Sequence, residues 1–254
     1  LRRFNETLEQ RVVEEAAKSR EKDHMLIQQS RLAAIGEMIG NIAHQWRQPI
    51  NALTLLLANI KDAFEHNELD KGYLDKSVKD GQKIIQRMST TIDDFRDFFR
   101  PNKEKDLFSV NEAVTDVLRI MEAALKYSNI NISVQGGESV MAYGIRNEYA
   151  QVLINLLANS KEAIQEHKVA DGQIRIGISQ HEGMSVVDVE DNAGGIPPGV
   201  LPNIFDPYYT TKEKGTGIGL YMSKVIVEDN MGGTIKACNI EGGARLTITT
   251  PSSY

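Results

Sequence analysis

The chain has a single cysteine, Cys238, in 254 residues, so no disulfide can form within it. No apolar run approaches the roughly 18 residues that a membrane-spanning helix requires. No signal-peptide pattern is present. Basic residues are in the minority, 29 Lys and Arg against 35 Asp and Glu, for a net charge of -6. Gripping nucleic acid needs a basic face to neutralise phosphate, so nucleic acid is not expected as a partner. No internal repeat or low-complexity tract occurs. What remains is ordinary globular material, 41% hydrophobic and 25% charged. It is long enough for one large domain or two modest ones. The sequence starts at Leu1, and the expectation is a fragment in a reducing, cytoplasmic setting. Any membrane anchor would lie in segments outside this chain.

Residues 1–30 are dense in charge, with scattered apolar positions, and read as a solvated signalling helix or weak coiled coil. From Leu32 the pattern sharpens. Leu32, Ile35, Ile39, Ile42, Trp46, Pro49, Leu53, Leu56 and Ile60 alternate steps of three and four, an a/d seam. Pro49 lies inside it and predicts a kink, because it has no N–H and crowds the preceding turn. Residues 65–72 read as a loop. A second seam follows at Leu74, Val78, Gly81, Ile85, Met88, Ile92, Phe95 and Phe99. Two seamed helices with a short connection predict an antiparallel hairpin. One hairpin leaves an apolar stripe wet, and a second copy would bury it in a four-helix bundle. A homodimer through residues 31–100 is therefore expected.

Residues 101–106 are polar, carry Pro101 and read as a linker. Composition then shifts. Ser109 and Glu112 form a capping-box signature for a helix running to about Tyr127. Strands are predicted at 129–135, 173–180, 184–191, 233–238 and 244–250, and helices at 147–167 and 217–230. Val152, Leu153, Leu156, Leu157 and Ile164 are candidates for the apolar face of the first of these helices. Mixed elements with two hairpin-spaced strand pairs predict an α/β sandwich, with helices on one face of a sheet. The whole is a multidomain α and α+β chain.

Four stretches of the second half carry candidate chemistry. Asn155 and Asn159 are four apart on one helix and share a face. Two exposed polar residues would give the same pattern, but carboxamide oxygens also suit a hard cation such as Mg²⁺. Asp191 ends a strand and precedes Gly194 and Gly195. By shape alone this is a turn with a leading Asp. A buried carboxylate there would also accept a hydrogen bond from the amine of a base, with glycine letting the backbone approach the ring. Residues 204–217 form a polar, lid-like connection with Phe205 as an anchor and Lys212 and Lys214 within reach of anionic phosphate. Solvated surface lysines are the plainer reading. Gly215, Gly217 and Gly219 alternate before a helix that continues with Leu220. Such turns bind phosphate through free N–H groups. The spacing matches neither the Walker A pattern nor the dinucleotide fingerprint, and a flexible hinge would look similar.

Each signal is modest alone, but together and in this order they resemble the N, G1, F and G2 boxes of sensor histidine kinases. Their ATP-binding (Bergerat, or GHKL) fold is shared with gyrase, Hsp90 and MutL ATPases. The H-Q-W-R-Q-P stretch at 44–49 resembles the family's H box. The resemblance covers roughly residues 30–250. It implies a dimerisation and phosphotransfer domain over 31–100 and an ATP-binding domain over 107–254. It implies ATP and Mg²⁺ as cofactors, with His44 as phosphoacceptor and an Asp of a response-regulator receiver as the next acceptor. Asn155 and Asn159 fall on the N box, with Asn159 the metal ligand. Asp191 matches the adenine-reading Asp, Gly195 the second G1 glycine, Phe205 and Pro207 the F box, and Gly215, Gly217 and Gly219 the G2 box. Ala193 stands where the first G1 glycine belongs. Glu162 stands where many relatives carry a lysine near the phosphates, and Lys212 is the candidate to substitute for it.

The heptad places His44 at f, farthest from the seam, so its ring is expected to face outward. A neutral imidazole supplies the attacking lone pair. Relatives usually carry an acidic residue directly after the histidine, whereas this chain has Gln45, which cannot act as a general base. Slower autophosphorylation, or ring orientation by the Gln45 carbonyl, is expected. Gln48 shares the face of His44 and is a candidate to orient a water that dephosphorylates the partner. The competing expectations are a non-kinase ATPase of the same fold and a degenerate dimeric scaffold.

Overall fold

A computed structural model describes residues 46–47, 49–98, 104–137, 139–212 and 215–253, with scattered positions between 11 and 29. His44, Gln45, Gln48, Lys214 and the seam residues Leu32, Ile35, Ile39, Ile42 and Phe99 lie outside the described residues, as does the chain leading into Pro49 on which a kink depends.

The hairpin consists of α1, described over 46–47 and 49–65, and α2, Lys71–Phe98. The turn between them is held by the Ala63 carbonyl, which accepts from the Glu68 and Leu69 N–H groups at 2.7 and 3.1 Å. Asp70 then caps α2, its carboxylate accepting from the Tyr73 N–H at 2.6 Å. Trp46, Pro49, Leu53, Leu56 and Ile60 are the half-buried positions of α1, as the first seam requires.

The second seam needs correction. Leu74, Val78 and Ile85 are 41%, 49% and 58% exposed, while Ser77 and Gly81 are buried, with Ile84 and Met88 half-buried. The face of α2 that meets α1 is therefore 77, 81, 84 and 88. Close approach explains the phase: a Cβ on Gly81 would lie 3.3 Å from Leu56 Cδ2, so a small residue is what lets the helices touch. Ile50, Leu57 and Phe64, seven apart on α1, are likewise 47%, 65% and 70% exposed. The hairpin thus presents a second apolar stripe that no other described residue covers.

The second half runs β1 (Asp106–Ser109), α3 (Val110–Tyr127), β2 (Ile130–Gly136), β3 (Met141–Gly144), α4 (Arg146–Glu166), β4 (Gly172–His181) and β5 (Met184–Asp191). After a 3-10 turn at Leu201–Asn203 come α5 (Gly219–Val225), a π-turn segment at Ile226–Asn230, β6 (Thr234–Ile240) and β7 (Gly243–Pro251). Five strands form one sheet in the order β2-β4-β5-β7-β6, with β2 parallel to β4 and every other pair antiparallel. The parallel pair needs a crossover, and α4 supplies it. This is the helix-covered sheet that the alternating elements predict.

β5 shows why. Ser185, Val187, Val189 and Asp191 point into the core, and Val186, Asp188 and Glu190 point out. On the outer face Glu190 holds Arg175 at 3.1 Å and Arg245 at 2.6 Å. On the inner face Leu153, Leu156 and Leu157 of α4 join Ile174, Ile176 and Ile248 in one core with Val114 and Val117 of α3. The five residues predicted for the apolar face of α4 are all buried.

Two differences stand out. β1 and β3 pair antiparallel as a small second sheet that the sequence pattern does not reveal, and Asp106, read as linker, begins it. The sheet lays Phe108 edge-on to Tyr149, centroids 5.2 Å apart. Tyr149 is fully buried, its hydroxyl has no partner among the described residues, and burial pushes its pKa well above the ordinary tyrosine value. The predicted capping box is one-sided: Ser109 Oγ accepts from the Glu112 N–H at 3.2 Å, but Glu112 turns to Arg146 at 3.4 Å.

Candidate functional site

α4, the crossover helix, is buried along most of its length, and its remaining face turns toward a cleft of about 480 Å³. The walls are Ile154, Asn155, Ala158, Asn159 and Glu162 of α4, then Val200 and Ile204, the lid residues 209–212, and residues 215–220, with Gln29 at the edge. Seven of the sequence-predicted site residues thus come together: Asn155, Asn159, Lys212, Gly215, Gly217, Gly219 and Leu220.

Asn155 points its amide at α5 and donates to the Gly219 carbonyl at 3.3 Å and to Ser223 Oγ at 3.4 Å. Ser223, itself buried, donates to the same carbonyl at 3.0 Å. Asn155 therefore joins the helix of the first motif to the helix of the last. Asn159, one turn on, offers its Oδ1 into the cleft, where Lys212 Nζ donates to it at 3.3 Å. The same ammonium also pairs with Glu162. The Lys212 and Glu162 side chains keep about a third and somewhat under half of their surface exposed, so water screens the pair and it is worth at most about 1 kcal/mol.

The glycines divide by role. Gly217 has φ +66 and lies so close to the lid that a Cβ would sit 2.4 Å from the Tyr208 carbonyl carbon. The Tyr208 N–H donates to the Gly217 carbonyl at 3.0 Å, which closes the lid at its base, and Tyr208 itself is left-handed at φ 63. A bulky residue in that region is strained, by about 1–3 kcal/mol. Gly219 differs: a Cβ there would meet nothing within 4 Å, so the backbone stands bare toward the cleft.

Asp191, Gly195 and Phe205 do not line this cleft. Asp191 is buried at 7% exposure. Its Oδ1 accepts from the Ala193 and Ala244 N–H groups at 3.0 and 3.3 Å, and its Oδ2 accepts from Ser160 Oγ at 3.2 Å. Ser160 adjoins Asn159, which links the carboxylate to the cleft through one helix turn. Gly195, at φ +87, rests on Asn239. Ala193 is buried and is tolerated where a glycine was expected, since only Gly194 and Gly195 take positive φ in this loop. Phe205 is half-buried against the core and anchors the start of the lid.

Several residues in this region escape sequence reasoning. Asn239 accepts from the Ile196 N–H at 2.7 Å and donates to the Ile196 carbonyl at 2.8 Å, so its amide pins the glycine loop as a strand would. Asn192 does the same at the other end, with the Gln173 N–H at 2.8 Å and the Asp171 carbonyl at 2.7 Å. His167 donates through Nδ1 to the Ala193 carbonyl. An asparagine inside a β-strand, as at 239, is the one signal that the sequence offered. Among the described residues no group of three His, Cys, Asp or Glu side chains could hold a metal unaided. No described helix is long and apolar enough to cross a membrane.

Comparison with known proteins agrees with this geometry. Residues 144–253 match the family model of histidine kinase-, DNA gyrase B- and HSP90-like ATPases, and residues 34–104 match the His Kinase A phospho-acceptor domain. The chain is 30% identical over 239 residues to the two-component sensor PprA of Pseudomonas aeruginosa, covering 91% of this chain and 26% of PprA. It is 29% identical to the signal transduction histidine-protein kinase AtoS of Escherichia coli, covering 91% of this chain and 37% of AtoS. It thus spans about a quarter to a half of the length of such relatives. Among solved structures, the catalytic domain of histidine kinase ThkA matches at 31% identity and a TM-score of 0.54, over 59% of this chain and 96% of that one. ThkA in complex with the response regulator TrrA matches at 27% identity and a TM-score of 0.51, over 88% of this chain and 63% of that one. With both domain models in order along a chain whose cleft gathers the N-box and G2 residues, this protein belongs to the two-component sensor histidine kinases and carries their catalytic core.

Proposed function

We propose that this chain is a homodimeric kinase core that transfers the γ-phosphoryl group of ATP to His44 and then to an Asp of a response-regulator receiver. The observation that carries this reading is the cleft in which Asn159, Lys212 and the bare backbone at Gly219 converge. A carboxamide oxygen to hold a cation, with an ammonium and the backbone at a helix start to face phosphate oxygens, is the set that a polyphosphate requires. We assign Asp191 to reading the amine of adenine; it is fixed by three hydrogen bonds and keeps acceptor capacity on Oδ2. Gly195 in the adjoining loop and Phe205 at the start of the lid are assigned to the same end, behind the walls of the cleft.

The residues fit a divalent cation, since Asn159 and Glu162 already hold a positive charge between them in the form of the Lys212 ammonium. Mg²⁺ would be held through Asn159 Oδ1, and when bound it neutralises phosphate charge. The chain's own part is positioning. The lone pair of the His44 ring attacks phosphorus as the bond to the ADP oxygen breaks, and the ring proton passes to solvent. Gln45 cannot accept that proton as a carboxylate would. Gln48 is assigned to orienting a hydrolytic water in dephosphorylation.

The exposed stripes Ile50, Leu57 and Phe64 on α1 and Leu74, Val78 and Ile85 on α2 support pairing of residues 31–100 with a second copy as a four-helix bundle. Residues 106–254 then serve as the ATP-binding unit, joined to the hairpin by the residues before Asp106. Incubation with γ-labelled ATP and Mg²⁺ tests the reading. The expected result is acid-labile, alkali-stable label that is absent from His44→Ala. ATP turnover without label, or label surviving in that variant, would overturn it.

A further inference from the structure

Glu162 is in an awkward place for a polyphosphate site. It lies on the cleft-facing side of α4, three residues after Asn159, and lines the same cavity. A carboxylate beside incoming phosphates repels them unless a cation stands between. Such a cation is present: Lys212 Nζ, fifty residues away in sequence, donates to Asn159 Oδ1 at 3.3 Å and pairs with Glu162.

We propose that Asn159 and Glu162 form one cation seat, filled by the lid lysine Lys212 without nucleotide and by a divalent metal once nucleotide is bound. The inference rests on the ATP-site reading above, and it adds Glu162 to the metal's surroundings and gives Lys212 a second position. Both side chains are part-exposed, so the ion pair is weak enough to be displaced. A divalent ion gains what the ammonium lacks, a bridge from the seat to the phosphate oxygens. Lysine carries its charge on a flexible four-carbon stem and keeps about a third of its surface exposed here, so the ammonium can swing once displaced without the lid backbone moving. Charge favours the exchange. With Lys212 seated, the pair is neutral. With the metal seated, Lys212 is released toward the phosphates, and two sources of positive charge face the nucleotide as it arrives.

Manganese binding to the full chain, read from the free Mn²⁺ signal in electron paramagnetic resonance, tests this. In the absence of nucleotide, Lys212→Met is expected to bind Mn²⁺ at least about fivefold more tightly than the unaltered chain, and Lys212→Arg to leave binding unchanged. Glu162→Gln is expected to split by condition. With the ATP analogue AMP-PNP present, its half-saturating Mn²⁺ rises about fivefold. In EDTA, its affinity for AMP-PNP stays equal or improves, because a repelling charge is gone. A residue that only supported the fold would weaken both. Unchanged Mn²⁺ binding in Lys212→Met, or loss of nucleotide affinity in EDTA for Glu162→Gln, overturns the exchange. Failure of the unaltered chain to bind AMP-PNP under any condition would instead sink the ATP-site reading, and the nucleotide-free arm would still decide who occupies the seat.

Discussion

The two halves of this molecule solve the burial problem differently. The sheet domain covers its own apolar residues: Leu153, Leu156 and Leu157 are essentially inaccessible, sealed between α3 and the sheet. The hairpin does not. It hides Leu53, Leu56 and Ile60 only in part and leaves Ile50, Leu57 and Phe64 to solvent. A domain with its own core folds on its own terms, while a hairpin with a wet stripe derives part of its stability from concentration. On the proposed function, that arrangement suits a signalling core in which one half holds the cleft rigid and the other responds to a second copy.

The contrast can be broken by substitution. Leu157→Ala, in the core of the sheet domain, is expected to cost about 2–5 kcal/mol, read as a lowered thermal midpoint. An equal loss from Leu57→Ala in a dilute, monomeric sample would erase the distinction. Leu57→Glu is expected to shift the sedimentation equilibrium toward monomer by tenfold or more, about 1.4 kcal/mol, without moving the midpoint of the sheet domain. A dimer of unchanged strength would place the interface elsewhere. Ser109→Ala removes the α3 cap and is expected to cost about 1 kcal/mol in chemical denaturation. The smallest effect sharpens the comparison from within. Tyr149→Phe deletes a buried hydroxyl that has no partner, so stability should hold or rise by up to about 1 kcal/mol. A clear loss would mean that the hydroxyl is satisfied after all.

What could be read from sequence followed element length and side-chain bulk. β5 alternates over eight residues, and its predicted span of 184–191 is the observed one. β1 and β3 have four residues each, too short for alternation to stand out. The second seam holds at Gly81 and Met88, but α2 turns Ser77 and Ile84 to α1 in place of Leu74, Val78 and Ile85, because the closest approach selects for the absence of bulk. In the site, Asn159 and the G2 glycines were visible as spaced motifs. The pairing of Lys212 with Glu162 and the pinning of Ile196 by Asn239 were not. Each joins residues more than forty positions apart, and only the return of the lid and the order of the strands brings them together.

The bond between Tyr208 and Gly217 has a consequence for how this protein can diverge. A loop stitched at its neck transmits little of its own length to the scaffold beneath. Doubling such an excursion adds only about 0.6 kcal/mol of closure entropy. The stretch beyond the stitch is nonetheless wall of the cleft, through Tyr209 to Lys212 and Gly215 to Thr216. A gain or loss of residues there would reshape the mouth of the cleft and move Lys212, while the sheet beneath keeps its register.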